Sequence, residues 1–191
     1  MRKLSLWMQV SLDGFTQGPA GEFDWPVVDE ELKEYFVDLA GEFDTFLFGR
    51  KVYELMADYW PTADTQSWST DYEPRYAPIW RDTSKIVFSK TLERAGWNTE
   101  VVGENIAEQI TKLKEQPDKG IVLFGGADMA ATFIRLGLID EYRLFVHPVV
   151  LGGGTPLFPA FDDRVSLRLA QTRTFDSAVV HVHYQREGKG V

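Results

Sequence analysis

The segment Ile-Val-Leu-Phe-Gly-Gly at residues 121–126 constrains the fold of this chain more than any other feature. Its continuous apolar run predicts a strand that is buried on both faces, as strands are in a parallel sheet. Gly125 and Gly126 end that run, and a helical pattern begins directly after them. Glycine allows a sharp turn and the close approach of a ligand, and the first N–H groups of a helix attract anions. Two interpretations fit this unit: a nucleotide-binding turn, or a tight turn without a ligand.

Strands alternate with helices along most of the chain. Further strand-like segments lie at residues 4–10, 45–48, 85–88, 99–102 and 141–150, and helical patterns begin at Asp29, Arg50 and Asn105 and after Gly126. This alternation predicts a mainly parallel central sheet with helices on both faces. Residues 165–174 and 178–185 alternate apolar and polar side chains, which predicts a C-terminal antiparallel hairpin. We therefore expect one α/β domain over residues 1–191.

An aromatic stretch interrupts this pattern. Residues 60–78 contain three prolines and several aromatic side chains, and because linkers are poor in aromatic residues we expect a folded excursion over the core. Trp68, Tyr72 and Tyr76 are interpreted as exposed, in a substrate lid or a protein contact. The preceding helix has a predicted apolar face of Val52, Leu55, Met56 and Tyr59. Together with the terminal hairpin, this stretch offers more apolar surface than one core needs, which predicts a homodimer.

Composition excludes several classes of function. The net charge of −9 argues against nucleic-acid and anionic-membrane partners, because both require a basic surface. The chain has no cysteine, which excludes disulfides, a thiolate nucleophile and cysteine metal sites. No segment approaches the ~20 apolar residues that span a bilayer. We expect a cytoplasmic protein that binds a small molecule, with no nucleic-acid and no membrane partner.

Three strand–helix junctions carry chemistry that suits one ligand. Ligands of open α/β sheets bind outside the carboxyl ends of the strands. Arg50 and Lys51 begin a helix, which is unfavourable with the helix dipole unless an anion binds there. Ser89 and Lys90 directly follow another strand, and Gly125 and Gly126 follow a third. Singly these cations fit a solvated surface; together they favour a phosphate of a nucleotide. The chain has no G-x-G-x-x-G, so a standard Rossmann site is not expected.

Five motifs follow one another along the chain. They are Val-Ser-Leu-Asp-Gly at 10–14, Gly-Glu-Phe-Asp-Trp at 21–25, Phe-Gly-Arg-Lys-Val-Tyr-Glu at 48–54, Phe-Gly-Gly at 124–126 and His-Pro-Val-Val-Leu-Gly-Gly-Gly at 147–154. In this order and spacing they resemble the dihydrofolate reductase-like superfamily. They are most similar to stand-alone relatives of the reductase domain of bifunctional riboflavin-biosynthesis proteins. The resemblance covers nearly the whole chain.

The resemblance implies an NADPH-dependent reductase and assigns its cofactor contacts. The implied cofactor-binding residues are Gly49, Arg50, Lys51, Ser89, Lys90, Gly125, Gly126 and Ala127. The first three would meet the adenosine side of NADPH, and the next two would lie near its 2′-phosphate. The glycine pair would pass beneath the nicotinamide and pyrophosphate, and its peptide bond is often cis in this superfamily. Val52 stands where dihydrofolate reductases usually have a threonine that bonds a cofactor phosphate, so that contact is missing or moved.

The resemblance also places residues on the substrate side. Phe23 and Trp25, on a loop at residues 16–25, would roof the nicotinamide. Asp13 and His147 are the catalytic candidates, but Asp13 also fits a simple turn cap, and His147 also fits a buried structural histidine. Asp29, Glu30 and Glu31 all lie near the position of the acid that contacts the pterin in dihydrofolate reductases, and Asp29 is the substrate-binding candidate. It also fits an N-cap that begins an acidic first helical turn.

The implied reaction is hydride transfer from NADPH to a C=N or C=O bond of a heterocyclic or sugar-derived substrate. The riboflavin-type relatives imply a reaction like that of 5-amino-6-(5-phosphoribosylamino)uracil reductase. Two alternatives stay open: a pterin (dihydrofolate) reductase, and a non-catalytic nucleotide-binding protein that kept the fold. His181 and His183 share a strand face without a matching third ligand, so no metal site is expected.

Overall fold

The structure of the protein is a computed structural model that describes residues 1–160 and 164–188. Its main sheet is built from β1 (Leu4–Ser11), β3 (Phe43–Gly49), β4 (Ser84–Phe88), β5 (Thr99–Val102), β6 (Gly120–Gly125), β7 (Glu141–His147), β9 (Leu167–Thr174) and β10 (Val180–Arg186). The spatial order is β5-β4-β3-β6-β1-β7-β10-β9. Two short strands, β2 (Phe15–Gln17) and β8 (Thr155–Pro156), form a separate antiparallel pair.

The direction of the strands confirms the predicted sheet. From β5 to β7 every neighbouring pair is parallel. β10 is antiparallel to both β7 and β9, so the last two strands form the expected C-terminal hairpin. Ile121, Val122 and Leu123 are completely buried in β6, at the centre of the sheet. The apolar run that most constrains the sequence is therefore the central strand covered on both faces.

Helices cover both faces of this sheet, as predicted. α1 (Glu30–Ala40), α2 (Arg50–Tyr59) and α3 (Glu73–Asp82) contribute to one apolar cluster, with Trp7, Phe46 and Phe145 from the sheet. α4 (Ile106–Glu115) and α5 (Ala127–Arg135) contribute to a second cluster with Leu6 and Leu123. Within the described ranges, none of the helices is long and apolar enough to cross a membrane.

The aromatic stretch after α2 differs from its prediction. It contains a 3₁₀ helix (Trp60–Thr65) and α3, and its prolines at a helix start and inside α3 hide the helical signal in the sequence. Tyr76 was expected to be exposed but is buried against Trp60, with ring centroids 4.4 Å apart. Tyr72 is partly buried against the same cluster, and only Trp68 is exposed as expected. Most of this stretch therefore belongs to the core.

The predicted apolar face of α2 is also wrong in part. Val52 and Met56 pack against the core as expected, but Leu55 and Tyr59 are exposed. Tyr53, outside the predicted face, is buried instead, and its hydroxyl donates to the carbonyl of Gly96. Because α2 packs through Tyr53, its buried face is rotated relative to the predicted one.

Candidate functional site

The predicted site residues gather at one edge of the sheet. β4, β3, β6, β1 and β7 are neighbouring parallel strands, so their carboxyl ends lie side by side. The strands end at Phe88, Gly49, Gly125, Ser11 and His147. In the register of the sheet Gly49 is paired with Phe88 and Ser11 with His147. The three strand–helix junctions identified in the sequence therefore meet in space.

Gly125 and Gly126, which we call the glycine cradle, lie at the middle of this edge. Gly125 and Gly126 have φ of +57° and +97°, and Gly126 has ψ of 148°, a backbone region that only glycine adopts readily. A Cβ atom on Gly49 would lie 3.5 Å from the Gly125 carbonyl oxygen. The backbones of β3 and β6 thus approach each other closely where a flat or charged ligand is expected.

The glycine pair differs from the resemblance in one respect. No peptide bond is cis within residues 1–160 and 164–188, so the bond between Gly125 and Gly126 is trans. Two successive residues with positive φ make the turn instead. Val52 lies beside it, since a Cβ atom on Gly126 would be 3.5 Å from Cγ2 of Val52. Residue 52 therefore adjoins the turn but has no hydroxyl to donate to a ligand.

α5 begins directly after this turn. Gly126 is its N-cap and provides no side-chain acceptor, so the first N–H groups of the helix, from Ala127 onward, keep their bonding capacity. They carry the positive end of the helix dipole, which attracts a phosphate. Asp128 in the first turn opposes a second negative charge there. The turn therefore offers a ligand a surface of backbone polar groups that the two glycines leave uncovered.

Cationic side chains follow β3 and β4. Arg50 donates from Nε to Glu54 Oε1 at 2.7 Å and from Nη1 to Thr91 Oγ1 at 2.8 Å, so it joins the two junctions. The Ser89 hydroxyl oxygen accepts the backbone N–H groups of Thr91 and Leu92 at 3.2 and 3.0 Å. Ser89 thereby shapes the loop.

The lysines at this end differ from Arg50. Lys51 and Lys90 are exposed and have no ion-pair partner in the described part of the chain. Arg50, in contrast, forms an ion pair with Glu54. The two lysines therefore supply the positive charge available to an anion.

Asp13, after β1, holds a neighbouring loop. Its Oδ1 accepts the Ser11 hydroxyl at 2.7 Å and the Leu151 N–H at 3.1 Å, and its Oδ2 accepts the Gly152 N–H at 2.8 Å. The bond from Ser11, with those from the two backbone groups, lowers the pKa of Asp13 below its usual value. Asp13 is therefore an ionised acceptor that fixes the glycine-rich loop after β7.

His147, at the end of β7, is fully buried. Its Nδ1 accepts the Val27 N–H at 3.0 Å, so Nε2 carries the proton and donates to Gln9 Oε1 at 2.6 Å. Burial lowers the pKa of His147 to about 4. The imidazole is neutral at pH 7, and both of its nitrogens are engaged inside the protein.

The aromatic loop lies against His147. The Trp25 ring meets the imidazole edge-on with centroids 5.4 Å apart, and Phe23 meets Trp25 in the same manner at 5.4 Å. Phe23 stays more than half exposed, so its ring faces outward. His147 and the aromatic pair thus place an apolar surface over the end of β7.

Asp29 is used to hold α1 in place. Its Oδ1 accepts the Leu32 N–H at 2.8 Å as the N-cap, and its Oδ2 accepts the Ser177 N–H at 2.6 Å from the terminal hairpin. Burial by itself raises the pKa of Asp29, but these hydrogen bonds bring it below its usual value. Both carboxylate oxygens are therefore engaged by the backbone, and Asp29 stands beside the edge rather than on a strand end.

Gln9 and Ser11 are the functional neighbours that sequence reasoning missed. Both lie on β1, where their side chains share the face of Trp7. Gln9 accepts a hydrogen bond from His147 Nε2, and the Ser11 hydroxyl donates one to Asp13. The available signal was the presence of two polar residues on a strand that is otherwise almost entirely apolar.

No group of three or more potential metal ligands occurs in residues 1–160 and 164–188. His181 Nδ1 lies 3.2 Å from the Tyr35 hydroxyl, and His183 Nε2 lies 3.2 Å from Glu141 Oε2. Each of these imidazoles therefore has a partner within the fold.

Two surface cavities, of about 330 and 590 Å³, lie away from these strand ends. The first surrounds Arg2, Asp140 and Arg186, and the second lies between Phe43 and Pro78. Neither is lined by a predicted site residue. The carboxyl edge therefore carries the candidate chemistry.

A mainly parallel sheet with a glycine turn and cations at its carboxyl edge is the arrangement of the dihydrofolate reductase-like fold. The chain belongs to the RibD C-terminal domain family, whose model matches residues 2–181. This confirms the resemblance found in the sequence. YyaP, an uncharacterized protein of Bacillus subtilis, is 40% identical over 187 residues, covering 98% of this chain and 96% of YyaP.

Solved structures show the same fold. A protein of Shewanella sp. PV-4, provisionally named for riboflavin biosynthesis, aligns with a TM-score of 0.73 at 20% identity, over 97% of this chain and 99% of that one. The diaminohydroxyphosphoribosylaminopyrimidine deaminase/5-amino-6-(5-phosphoribosylamino)uracil reductase of Thermotoga maritima aligns with a TM-score of 0.67 at 15% identity. That alignment covers 97% of this chain and 56% of the Thermotoga protein. At these identities the likeness concerns the fold.

Proposed function

We propose that this protein is an NADPH-dependent reductase that reduces a C=N or C=O bond of a small heterocyclic substrate. The observation that carries the proposal is the order in which cationic, glycine and aromatic residues lie along the carboxyl edge. Exposed lysines follow β3 and β4, the glycine cradle follows β6, and an aromatic loop covers the ends of β1 and β7. Family membership and the reductase named among the structural relatives support the same class of reaction.

The residues at the first end fit NADPH. Lys51 and Lys90 would bind the 2′-phosphate, because ammonium groups make charge-assisted hydrogen bonds to phosphate oxygens. The N–H groups at the start of α5 would bind the pyrophosphate. Gly125 and Gly126 would let the dinucleotide lie directly on the backbone, because neither residue carries a side chain. NADPH, when bound, supplies the hydride.

The residues at the second end would position the substrate and limit the access of bulk water. Phe23 and Trp25 would cover the reacting atoms, since hydride transfer needs the two carbons within about 3–3.5 Å in a protected site. His147 acts as a positioning residue, because it holds the Val27 backbone and the Trp25 ring. Asp13 likewise positions the loop at Leu151 and Gly152.

The proton that completes the reduction would come from solvent water. Asp13 is ionised and only accepts hydrogen bonds, so it has no proton to give at pH 7. His147 donates its single proton to Gln9 and is sealed from solvent. A water molecule at the open edge is the remaining donor.

Two measurements test the proposal. Quenching of tryptophan fluorescence should report tighter binding of NADPH than of NADH. Loss of NADPH absorbance is then followed with dihydrofolate, 5-amino-6-(5-phosphoribosylamino)uracil, and simple quinones and aldehydes. Equal affinity for the two cofactors would contradict the cofactor assignment. Tight NADPH binding without turnover of any substrate would instead support the non-catalytic alternative.

We also infer that two copies associate through β9. This strand is the edge of the main sheet, and seven of its eight residues are exposed. An exposed edge strand offers unpaired N–H and C=O groups to a second chain. Leu169→Lys should therefore lower the mass measured by light scattering to that of a monomer. Leu136→Lys is the matched control, because Leu136 is 48% exposed and Leu169 49% exposed. A monomer mass for the unmodified protein would refute the inference.

A further inference from the structure

The two ends of the carboxyl edge differ sharply in charge. Residues 11–31, after β1, and residues 147–160, after β7, contain no lysine or arginine, and the next cationic residues along the chain are Lys33 and Arg164. Six acidic residues lie in the first of these ranges: Asp13, Glu22, Asp24, Asp29, Glu30 and Glu31. Lys51 and Lys90 are exposed at the other end. Positive charge therefore lies at the cofactor end and is absent from residues 11–31 and 147–160, which we call the substrate loops.

Two cations border the substrate end, and acidic side chains neutralise both. Lys33 on α1 lies 2.6 Å from Glu30 Oε1, and Arg173 on β9 lies 2.7 Å from Glu31 Oε1. The Arg173 guanidinium also lies over the Tyr35 ring, 5.0 Å from its centroid. Neither cation is left to balance an incoming anion.

Backbone N–H groups could replace side-chain cations, but two of those in the glycine-rich loop serve the chain's own carboxylate. The Leu151 and Gly152 N–H groups of the glycine-rich loop donate to Asp13, and so does the Ser11 hydroxyl. Asp13 thus stands where a phosphate would otherwise accept these bonds. A second anion beside it would be repelled, because like charges at short distance are unfavourable.

The remaining surface at this end is apolar. Leu12 is 68% exposed and Val150 is 64% exposed, directly after β1 and close after β7. Phe23 on the aromatic loop and Val27 just after it are also exposed. Exposed apolar side chains grouped around a few fixed polar groups are typical of a site for an uncharged ring.

We propose that the substrate of this protein is a phosphate-free heterocycle without net negative charge. The proposal rests on the reductase function and narrows its substrate class. It separates this chain from the Thermotoga relative, because the uracil compound in that protein's name bears a phosphate. A site for that phosphate would be favoured by cationic side chains, which residues 11–31 and 147–160 of this chain lack.

Two substrate pairs that differ in charge test the proposal. The first is 5-amino-6-(5-phosphoribosylamino)uracil and its dephosphorylated nucleoside. The second is dihydrofolate, whose glutamate bears two carboxylates, and dihydrobiopterin, which bears none. Calorimetric titration of the protein saturated with NADP⁺ should show tighter binding of the uncharged member, by about tenfold in at least one pair. Tighter binding of the anionic members would overturn the proposal. The absence of binding by all four compounds would also overturn it.

A charge-reversal variant gives an independent readout. Asp24→Lys places a cation between Phe23 and Trp25 on an exposed position of the aromatic loop. It should strengthen binding of the phosphorylated member by about threefold, as expected for one exposed ion pair. Glu115→Lys makes the same change at an exposed position at the end of α4 and should leave the preference unchanged. Equal effects of the two variants would show that total charge, rather than the substrate loops, sets the preference.

Failure of this proposal is distinguishable from failure of the reductase function. If NADPH does not bind, the function is wrong, and titrations without cofactor still report the charge preference. If NADPH binds and the phosphorylated pyrimidine is preferred, the function stands and the substrate class proposed here is wrong.

Discussion

The two ends of the carboxyl edge use their polar residues in opposite ways. At the cofactor end, Lys51 and Lys90 are exposed, and the first N–H groups of α5 have no side-chain acceptor. At the substrate end, Asp13 and His147 are fully engaged by partners within the chain. Groups with spare bonding capacity are the ones that we propose to contact a ligand directly. Groups whose capacity is satisfied act by fixing the shape of loops. Proximity to a site is therefore not enough to assign a catalytic role.

The largest expected effect is acid destabilisation by buried histidines. Burial lowers the pKa of His147 and of His181 to about 4, from 6.5. Between these values the unfolded chain binds more protons than the folded protein, so stability falls as the pH falls from 6.5 towards 4. Each histidine should cost about 2 kcal/mol of unfolding free energy at pH 5 relative to pH 8.

Urea unfolding at pH 8 and pH 5 measures this loss. In His147→Asn the difference between the two pH values should shrink by about half, whatever the variant's stability at pH 8. If this difference in stability stays unchanged, His147 is not held neutral. The contrast between internally bonded groups at the substrate end and available groups at the cofactor end would then weaken.

The next effect concerns the glycine cradle. Gly126→Ala should cost about 1–3 kcal/mol of stability, because alanine is strained at φ of +97°. It should also weaken NADPH binding by about tenfold or more, since the methyl group intrudes where the cofactor must approach. Fluorescence titration measures the affinity, and urea unfolding measures the stability.

Gly137→Ala is the control for backbone strain. Gly137 follows the other end of α5 and also has a positive φ, of +66°. An added Cβ atom there would meet only the flexible end of Arg186, at 3.0 Å. This variant should lose stability and keep its NADPH affinity. Equal loss of affinity in both variants would remove the cradle from the cofactor site.

A smaller effect is expected from the cations. Lys51→Ala and Lys90→Ala should each lower the preference for NADPH over NADH by about fivefold, as expected for exposed ion pairs. Arg50→Ala should do less, because Glu54 already neutralises part of its charge. Lys112→Ala, at an exposed position on α4, is the control. An unchanged preference in both lysine variants would place the 2′-phosphate elsewhere.

The smallest effect is expected from Asp13→Asn. Asparagine keeps one acceptor but turns an N–H group towards a donor of the glycine-rich loop, so the loop at Leu151 and Gly152 should loosen. KM for the substrate should rise severalfold, with the NADPH affinity unchanged and no shift in the pH dependence of kcat. A large fall in kcat with a shifted pH profile would show that Asp13 carries a proton after all.

Local patterns determined most of the fold. The apolar run at residues 121–124 is the central strand, Asp29 is the N-cap of α1, and the terminal alternation is the β9–β10 hairpin. These features depend on neighbours within a few residues, so side-chain period and capping chemistry are enough to identify them. The carboxyl-edge position of the three junctions follows from the parallel order of the strands.

Long-range contacts decided what the sequence could not. His147 is hydrogen-bonded to Val27, 120 residues away, and to Gln9, 138 residues away, and these bonds support the positioning role that we propose for it. Asp13 meets Gly152 across 139 residues. The burial of Tyr76, the exposure of Leu55 and the trans bond at Gly125 likewise depend on how elements pack. The sequence determines which groups are present and which element each belongs to. Only the tertiary structure decides which of them are satisfied internally, because that depends on partners that folding brings from distant parts of the chain.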